Sequence, residues 1–313
     1  MLLSRRLTIA DPSRVRATQR ALLLMVGSAV LFGAMAFTAK LASAEISGAQ
    51  VAMIRFAVGL TPALLIPRFR RRAFTFQRLD LLFYRGFFGG VAVLCYFIAI
   101  QHINVGVATL LNYTSPIFSG LFSLFFLKEA ISPRVMIPMP VALFGVFLVV
   151  NAHGRTGAFL GFGVWEFVGL SSALASGAAV TAMRAARRGE NSWAVYTSFC
   201  LLGTLITAPL AIASWKTPTG HEWLALALTS IFAIGAQLLL TFSLRWVDAM
   251  TVGVISQIAV IVAMLLGITV LGESVSMRAI VGSAITIGGV VGVVYVTSLA
   301  KRTAAADEIV AEA

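Results

Sequence analysis

Residues 127–134 read LKEAISPR, and residues 271–278 read LGESVSMR. Both stretches contain the pattern Glu-x-x-Ser-x-Arg, and the two glutamates, Glu129 and Glu273, are 144 residues apart. Further matches at this offset are Ser28 with Ser172, Ala29 with Ala173, Gly33 with Gly177, Ala34 with Ala178 and Gly145 with Gly289. One offset that holds along most of the chain indicates an internal repeat. The sequence therefore predicts two halves with the same order of elements.

The segments around these motifs are apolar enough to cross a membrane. Of the 313 residues, 59% are hydrophobic and 12% are charged, against about 45–50% and about 25% in soluble domains. Apolar runs of about 20 residues, the length that spans a bilayer, lie near 21–41, 48–67, 79–100, 104–126, 135–151, 163–183, 193–213, 222–245, 248–271 and 277–299. We therefore expect an all-α membrane protein with ten transmembrane helices.

An odd number of spans in each half requires the second half to enter the membrane from the opposite side. The predicted fold is thus ten transmembrane helices arranged as two inverted five-helix repeats, as in many secondary transporters. With the N-terminus in the cytoplasm, 18 of the 24 Lys and Arg residues lie on the cytoplasmic side and four on the outer side, as the positive-inside rule requires. The predicted segments are a basic cytoplasmic tail (1–20), two repeats (21–151 and 163–299) and a second cytoplasmic tail (300–313).

This layout resembles a known transporter family. Pro116 in span four is followed by Leu127, Lys128 and Glu129, with an echo at 271–273. In these features the chain looks like the EamA family of the drug/metabolite transporter superfamily. The resemblance covers about residues 20–300 and implies transport of small organic molecules such as amino acids, their metabolites or vitamins. Val260 stands where the second half would match Pro116, which leaves a symmetric kink in span nine open.

Polar residues near the middle of the predicted spans are the candidates for a substrate site. Asn112 is aligned with Ser256 by the repeat, and Tyr113 with Gln257. Pro116 removes a backbone donor and would leave a carbonyl near Asn112 for a ligand or for a simple kink. Gln237 in span eight and Tyr96 in span three are further candidates. The alternative for each polar group is a hydrogen bond to a neighbouring helix, which is common in membrane proteins.

The same span four carries Thr109, Asn112, Ser115, Ser119 and Ser123 at intervals of three or four residues. This spacing predicts one polar helix face directed into the bundle. Gly86-x-x-x-Gly90 in span three is a close-packing pattern that serves contacts within one chain or between two. The sequence is therefore compatible with a monomer or a homodimer.

Three basic residues are candidates for a gate or mouth of the transport pathway. Lys40 and Arg184 are repeat mates at the ends of spans one and six, and each is alternatively an interfacial anchor. Arg55 lies about two turns inside span two. It has three possible roles, namely snorkelling to the surface, pairing with Glu45, or binding a substrate carboxylate.

The predicted positions of the acidic residues limit which ions could be coupled to transport. All 12 lie in tails, loops or span ends, which leaves no mid-membrane carboxylate to relay protons or hold Na⁺. Glu129 and Glu273 are expected at helix junctions, where Ser132 and Ser276 would cap the following helices.

No arrangement of residues predicts catalysis, a metal site or a cofactor, and the net charge of +12 reflects cytoplasmic anchoring rather than nucleic-acid binding. We expect a multi-pass carrier in the cell inner (plasma) membrane with a small-molecule substrate and the lipid bilayer as its partners. Export of amino acids or related metabolites is the first prediction. Uptake of a vitamin or cofactor such as riboflavin or S-adenosylmethionine is the alternative.

Overall fold

The computed structural model describes residues 12–127, 137–151, 163–186, 189–243 and 249–311. All regular structure in these ranges is helical. The helices are α1 (Pro12–Ala42), α2 (Gly48–Gly59), α3 (Thr61–Leu65), α4 (Pro67–Ala73), α5 (Leu79–His102), α6 (Val105–Asn112), α7 (Ser115–Leu127), α8 (Pro138–Val150), α9 (Val164–Ala186), α10 (Ser192–Ala213), α11 (Gly220–Ser243), α12 (Ala249–Ser256), α13 (Ile258–Thr269) and α14 (Met277–Ala311).

Eight stretches within the described residues are long and apolar enough to cross a membrane. They are Gln19–Ala42, Gly48–Leu65, Leu79–His102, Val164–Met183, Ser192–Ala213, Gly220–Leu240, Val252–Thr269 and Met277–Val296. The other two predicted spans are represented by shorter helices, because span four is divided into α6 and α7 and span five is the single helix α8. A total of ten spans therefore requires that predicted spans four and five also cross the membrane.

Local sequence explains where several helices begin. The Ser47 side chain accepts a hydrogen bond from the Gln50 N–H at the start of α2, and Asn191 accepts two at the start of α10. Ser276 Oγ accepts from the Ala279 N–H, so the predicted cap before α14 is confirmed. Such caps satisfy backbone donors that have no partner within the helix. The predicted cap at Ser132 lies outside the described residues.

Span four is interrupted, so the prediction that its polar residues share one continuous helix is wrong, although their predicted direction into the bundle holds for Thr109 and Ser119. The helix ends at Asn112 and restarts at Ser115, and the Thr114 N–H donates to the Leu111 carbonyl at 3.2 Å in a tighter turn. Thr109 and Ser119 are still buried, but they contact different neighbours. The side chain of Ser123 lies outside the described residues.

Span nine is interrupted at the matching position. Helix α12 ends at Ser256 and α13 begins at Ile258, so the break at Gln257 lies 144 residues after Tyr113. The Gln257 N–H donates to the Val254 carbonyl at 3.1 Å, again in a tighter turn. No proline is present at this break, so proline is not its cause.

Helices from the first and second parts of the chain pack against each other throughout. Helix α1 packs on α11 and α13, α5 on α9 and α10, α2 on α10, and α8 on α14. One large apolar cluster among the described residues extends from Met35 on α1 to Ala263 on α13, and smaller clusters lie beside it. Gly86 and Gly90 face α10 of the same chain, so the close-packing pattern in α5 serves an internal contact.

The contact between α8 and α14 depends on two small residues that are repeat mates. A Cβ atom at Gly289 would lie 2.6 Å from Ala142 Cα, and one at Gly145 would lie 2.7 Å from the Gly282 carbonyl oxygen. Both distances are shorter than non-bonded contacts allow, and the neighbouring atoms are backbone. These two helices therefore approach as closely as glycine permits.

We predict that Gly289→Ala destabilises the protein by about 1–3 kcal/mol, because the added methyl group overpacks this interface. The adjacent Gly288→Ala is the matched control, since nothing lies within 4 Å of its added Cβ. That control gains up to about 1 kcal/mol from helix propensity. Thermal unfolding of the purified protein in detergent measures both changes. Equal melting temperatures for the two variants would contradict the close approach.

Candidate substrate site and outer junction

The two helix breaks meet in the middle of the bundle. The Gln257 side-chain amide donates to the Tyr113 carbonyl at 3.4 Å, and also to the Gly253 carbonyl of its own helix at 3.4 Å. Ser256 Oγ donates to the Val252 carbonyl one turn earlier. The Tyr113 carbonyl at the break in span four is therefore already hydrogen-bonded to the Gln257 side chain at the break in span nine.

Asn112 and Tyr96 are also bonded to neighbouring helices. Asn112 Oδ1 accepts from Ser172 Oγ at 3.2 Å and from Ser176 Oγ at 3.1 Å, both on α9. The buried Tyr96 hydroxyl lies 2.8 Å from Thr109 Oγ1. These contacts hold α6 against α9 and α5.

Pro116 lies in the first turn of α7 rather than inside a helix. In the first turn a missing N–H removes no helical hydrogen bond. The kink expected within a continuous helix is thus replaced by a tighter turn between α6 and α7, in which the Ile117 N–H donates to the Thr114 carbonyl at 3.0 Å.

A narrow cleft lies between α2, α10 and α11, and its free volume of about 10 Å³ holds about one water molecule. Of the predicted site residues, it brings together Arg55 and Gln237. Gly59, Tyr196 and Cys200 complete its polar and small-residue wall. The Tyr196 hydroxyl donates to the Gly59 carbonyl at 3.0 Å, which fixes the ring at the edge of the cleft. Asn112, Gln257 and Tyr96 do not line this cleft.

Arg55 is buried in the wall of this cleft, with only 8% of its surface exposed. Its guanidinium carbon lies 5.2 Å from the Phe56 ring centre, 5.7 Å from that of Phe97 and 6.0 Å from that of Phe199. Its Nε atom has no hydrogen-bond acceptor among the described residues. The side chain is therefore held by aromatic faces, and it does not snorkel to the surface.

Glu45, the predicted acidic partner of Arg55, is bonded elsewhere. Lys216 Nζ donates to its carboxylate at 2.8 Å, and this hydrogen bond raises the pKa of Lys216. Both side chains are exposed, and exposed pairs contribute little stability. Of the three alternatives for Arg55, pairing with Glu45 is therefore not observed.

Arg85 on α5 is a second cation close to the cleft. Its guanidinium carbon lies 4.2 Å from the centre of the Phe199 ring, and its Nε also lacks an acceptor among the described residues. Phe199 therefore contacts two guanidinium groups. Sequence reasoning missed this phenylalanine, although the repeat offers a signal, because Phe199 lies 144 residues after Arg55.

At one end of the bundle, Lys40 and Glu273 form a junction between four segments. Lys40 Nζ donates to the carbonyls of Ile100 and Ile103, at 2.7 and 2.8 Å, where α5 ends. It lies 3.9 Å from Glu273 Oε1. Glu273 in turn accepts from the Val105 N–H, the first of α6, at 3.0 Å.

The surroundings of Glu273 at this junction shift its pKa in opposite directions. Burial raises its pKa above the ordinary glutamate value, and the Val105 N–H, Lys40 and Asn104 oppose that rise. The expectation that Glu273 lies at a helix junction is met, although the helix is α6 of the other half. Glu129 lies outside the described residues, as does the side chain of Arg184.

Comparison with known proteins identifies the chain. The sequence profile of the EamA-like transporter family matches residues 19–151 and again residues 163–295. The pseudopaline exporter CntI of Pseudomonas aeruginosa (strain UCBPP-PA14) is 29% identical over 240 residues, 76% of this chain and 83% of the exporter. Human solute carrier family 35 member G1 is 23% identical over 198 residues, which are 60% of this chain and 54% of that protein.

One crystal structure superposes on 91% of this chain and 99% of its own with a TM-score of 0.58. The sequences are 23% identical, so the similarity concerns the fold alone. The two matches to the family profile cover most of the chain, and its relatives are named transporters. The chain is therefore a multi-pass membrane protein that belongs to the EamA-like transporter family.

Proposed function

We propose that this protein is a secondary carrier that moves small polar organic metabolites across the inner membrane by alternating access. The observation that carries the proposal is the cleft between α2, α10 and α11, with Arg55 and Gln237 in its wall. Membership of a transporter family supports transport, and the similarity to a metabolite exporter favours export. Amino acids or related metabolites are the proposed substrates, and the chain acts as a carrier rather than as an enzyme.

We further propose the architecture of ten transmembrane helices in two inverted five-helix repeats. The family profile matches twice, and the two matches start 144 residues apart. The contact of α1 with α11 has a counterpart in that of α9 with α5, and both helix breaks occur at equivalent positions. The repeats are residues 21–151 and 163–299, and the tails 1–20 and 300–313 are cytoplasmic according to the distribution of Lys and Arg.

In this orientation the junction of Lys40 and Glu273 lies at the outer face. It joins the ends of α1 and α5 to the start of α6 and to the segment after α13, so it closes the outer mouth. Movement of one repeat against the other around a central site would require this junction to open. For the inner mouth, Arg184 remains the expectation from the sequence alone.

The substrate-binding proposal also keeps the polar residues of the helix breaks. They are Asn112, Tyr113, Pro116, Ser256 and Gln257, with Tyr96 behind them. Their hydrogen bonds join the two halves across the centre. When the halves move, these bonds open and their polar groups become available to the solute.

Counterflow in vesicles that contain the purified protein tests the proposed function. We expect saturable counterflow of at least one solute from a panel of amino acids, their derivatives and vitamins. Vesicles without protein provide the background. Absence of counterflow across the whole panel would overturn the proposed function, and counterflow of vitamins alone would replace its substrate class.

We predict that Asn112→Ala and Gln257→Ala each slow transport severalfold while folded protein is retained. Each variant loses hydrogen bonds between helices that are worth about 0.6 kcal/mol on average, too little to unfold the bundle. Thr269→Ala on α13 is the matched control, since its exposed hydroxyl donates only to the Leu265 carbonyl of its own helix. Transport and melting temperature are measured on the same preparations. Unchanged transport in both variants would remove these residues from the site.

We predict that acidification stabilises the closed outer junction. Because burial raises the pKa of Glu273, the closed state binds a proton more tightly than an open state in which the carboxylate is hydrated. The external pH that matters lies between the raised pKa of Glu273 and the ordinary glutamate value of 4.5. As the pH falls through this range, the equilibrium constant for closure increases by up to about tenfold for each unit by which the pKa is raised. Exchange should therefore slow over this range.

The variant Glu273→Gln should exchange slowly at neutral pH and show a flattened pH profile. Glu45→Gln is the matched control at the same face, since it removes an exposed carboxylate that pairs with Lys216. This control should keep the pH profile of the wild type. An exchange rate that rises on acidification would contradict the assignment to Glu273.

A further inference from the structure

We propose that the cleft beside Arg55 binds a small organic anion through its carboxylate, so that the transported solute carries net negative charge. This inference rests on the proposed function and names the chemical class of its substrate. It follows from the environment of Arg55, the lining of the cleft and the second cation at Arg85.

Arg55 lacks the ionic partner that Lys40 has. Among the described residues, Lys40 lies 3.9 Å from Glu273 Oε1, while Arg55 has no ion pair and no acceptor for its Nε. A charged side chain inside a membrane protein is costly unless it is paired or functional. A substrate carboxylate supplies the missing negative charge.

The aromatic contacts of Arg55 leave its hydrogen-bond donors for a ligand. Rings hold a guanidinium group through its charge and its flat face, and they consume none of its N–H groups. Those groups form a planar fork that matches the two oxygens of a carboxylate. Phe56, Phe97 and Phe199 therefore position Arg55 without neutralising it.

The remaining lining of the cleft suits an anion better than a cation. No carboxylate lies among its described lining residues, so a substrate ammonium group finds no ionic partner there. Its other polar lining residues, Tyr196 and Gln237, are neutral, and the Tyr196 hydroxyl already donates to the Gly59 carbonyl. In this conformation the free volume of the cleft is about 10 Å³, enough for about one water molecule, so a solute enters only when the cleft widens as the helices move.

Arg85 increases the positive potential on the same side. It lies over the ring of Phe199, which Arg55 also contacts, and its Nε is likewise without an acceptor among the described residues. Two cations that face no described carboxylate favour an anion over a zwitterion. They also make a cationic solute an unsuitable ligand.

Net negative charge would supply a driving force for export. An inside-negative potential of 100 mV shifts the equilibrium distribution of a monovalent anion outward by about fifty-fold. Such a carrier needs no coupling proton or sodium ion, which agrees with the prediction from the sequence that all 12 carboxylates lie in tails, loops or span ends. Arg55 would therefore select the negative charge of the solute, and that charge sets the direction of net transport.

The test uses vesicles that contain the full-length protein and are loaded with matched acids and amides. The pairs are glutamate with glutamine, aspartate with asparagine, and succinate with succinamide, and efflux of every solute is measured by mass spectrometry. A potassium gradient with valinomycin sets the membrane potential. We expect at least one acid to leave tenfold faster than its amide and to accelerate when the interior is negative.

Variants separate substrate binding from structure. Arg55→Met keeps the apolar stem and removes the charge, and it should abolish the preference for the acid, whereas Arg55→Lys should retain part of it. Arg71→Gln is the matched control, because Arg71 is exposed on α4. Melting temperatures establish that each variant is folded, and if Arg55→Met is not, the comparison of Arg55→Lys with wild type decides.

The outcomes distinguish the two proposals. Equal efflux of acids and amides, or efflux that ignores the potential, would overturn the anion proposal and leave the carrier function intact. Retention of acid preference in a folded Arg55→Met variant would do the same. If neither acids nor amides move, and the wider counterflow panel is also silent, the carrier function itself fails.

Discussion

A polar group inside a bilayer has no water to bond, so the chain itself must supply its partner. Many hydroxyls in the described part of the chain meet the requirement by donating to a carbonyl one turn earlier, as Thr207 and Thr286 do. A helix break cannot be satisfied in this way, because it releases backbone groups. Here the Tyr113 carbonyl at one break is bonded by Gln257 from the other, and Asn112 is bonded by hydroxyls of α9. The centre of the bundle is organised by this requirement.

The repeat made much of this arrangement predictable. The alignment of Tyr113 with Gln257 placed two polar positions at equivalent depths, and the structure brings them into contact. The glutamate of the repeated motif was expected at a helix junction, and Glu273 caps one. The break in span nine was not predictable from proline, because none is present there. Its signal is instead the repeat itself, since the equivalent position is broken in span four.

The candidate cleft was less accessible to sequence reasoning, for a physical reason. Periodicity shows which side of one helix is polar, but the neighbour that this side meets depends on packing between distant segments. Arg55 and Gln237 were therefore recognised as unusual residues without being placed together. Among 22 phenylalanines, Phe56 and Phe97 carried no signal, and Phe199 was marked only by its repeat relation to Arg55. Glu45 was a plausible partner for Arg55 because the two are ten residues apart in the sequence. Its carboxylate instead accepts a hydrogen bond from Lys216, which lies in another loop.

The contact between Arg55 and Phe199 joins two positions that are equivalent in the two halves but differ in chemistry. Pro116 and Val260 differ in the same way. If the halves exchange roles between an inward-open and an outward-open state, these differences prevent the two states from having equal free energy. An empty carrier of this kind would rest preferentially on one side of its cycle.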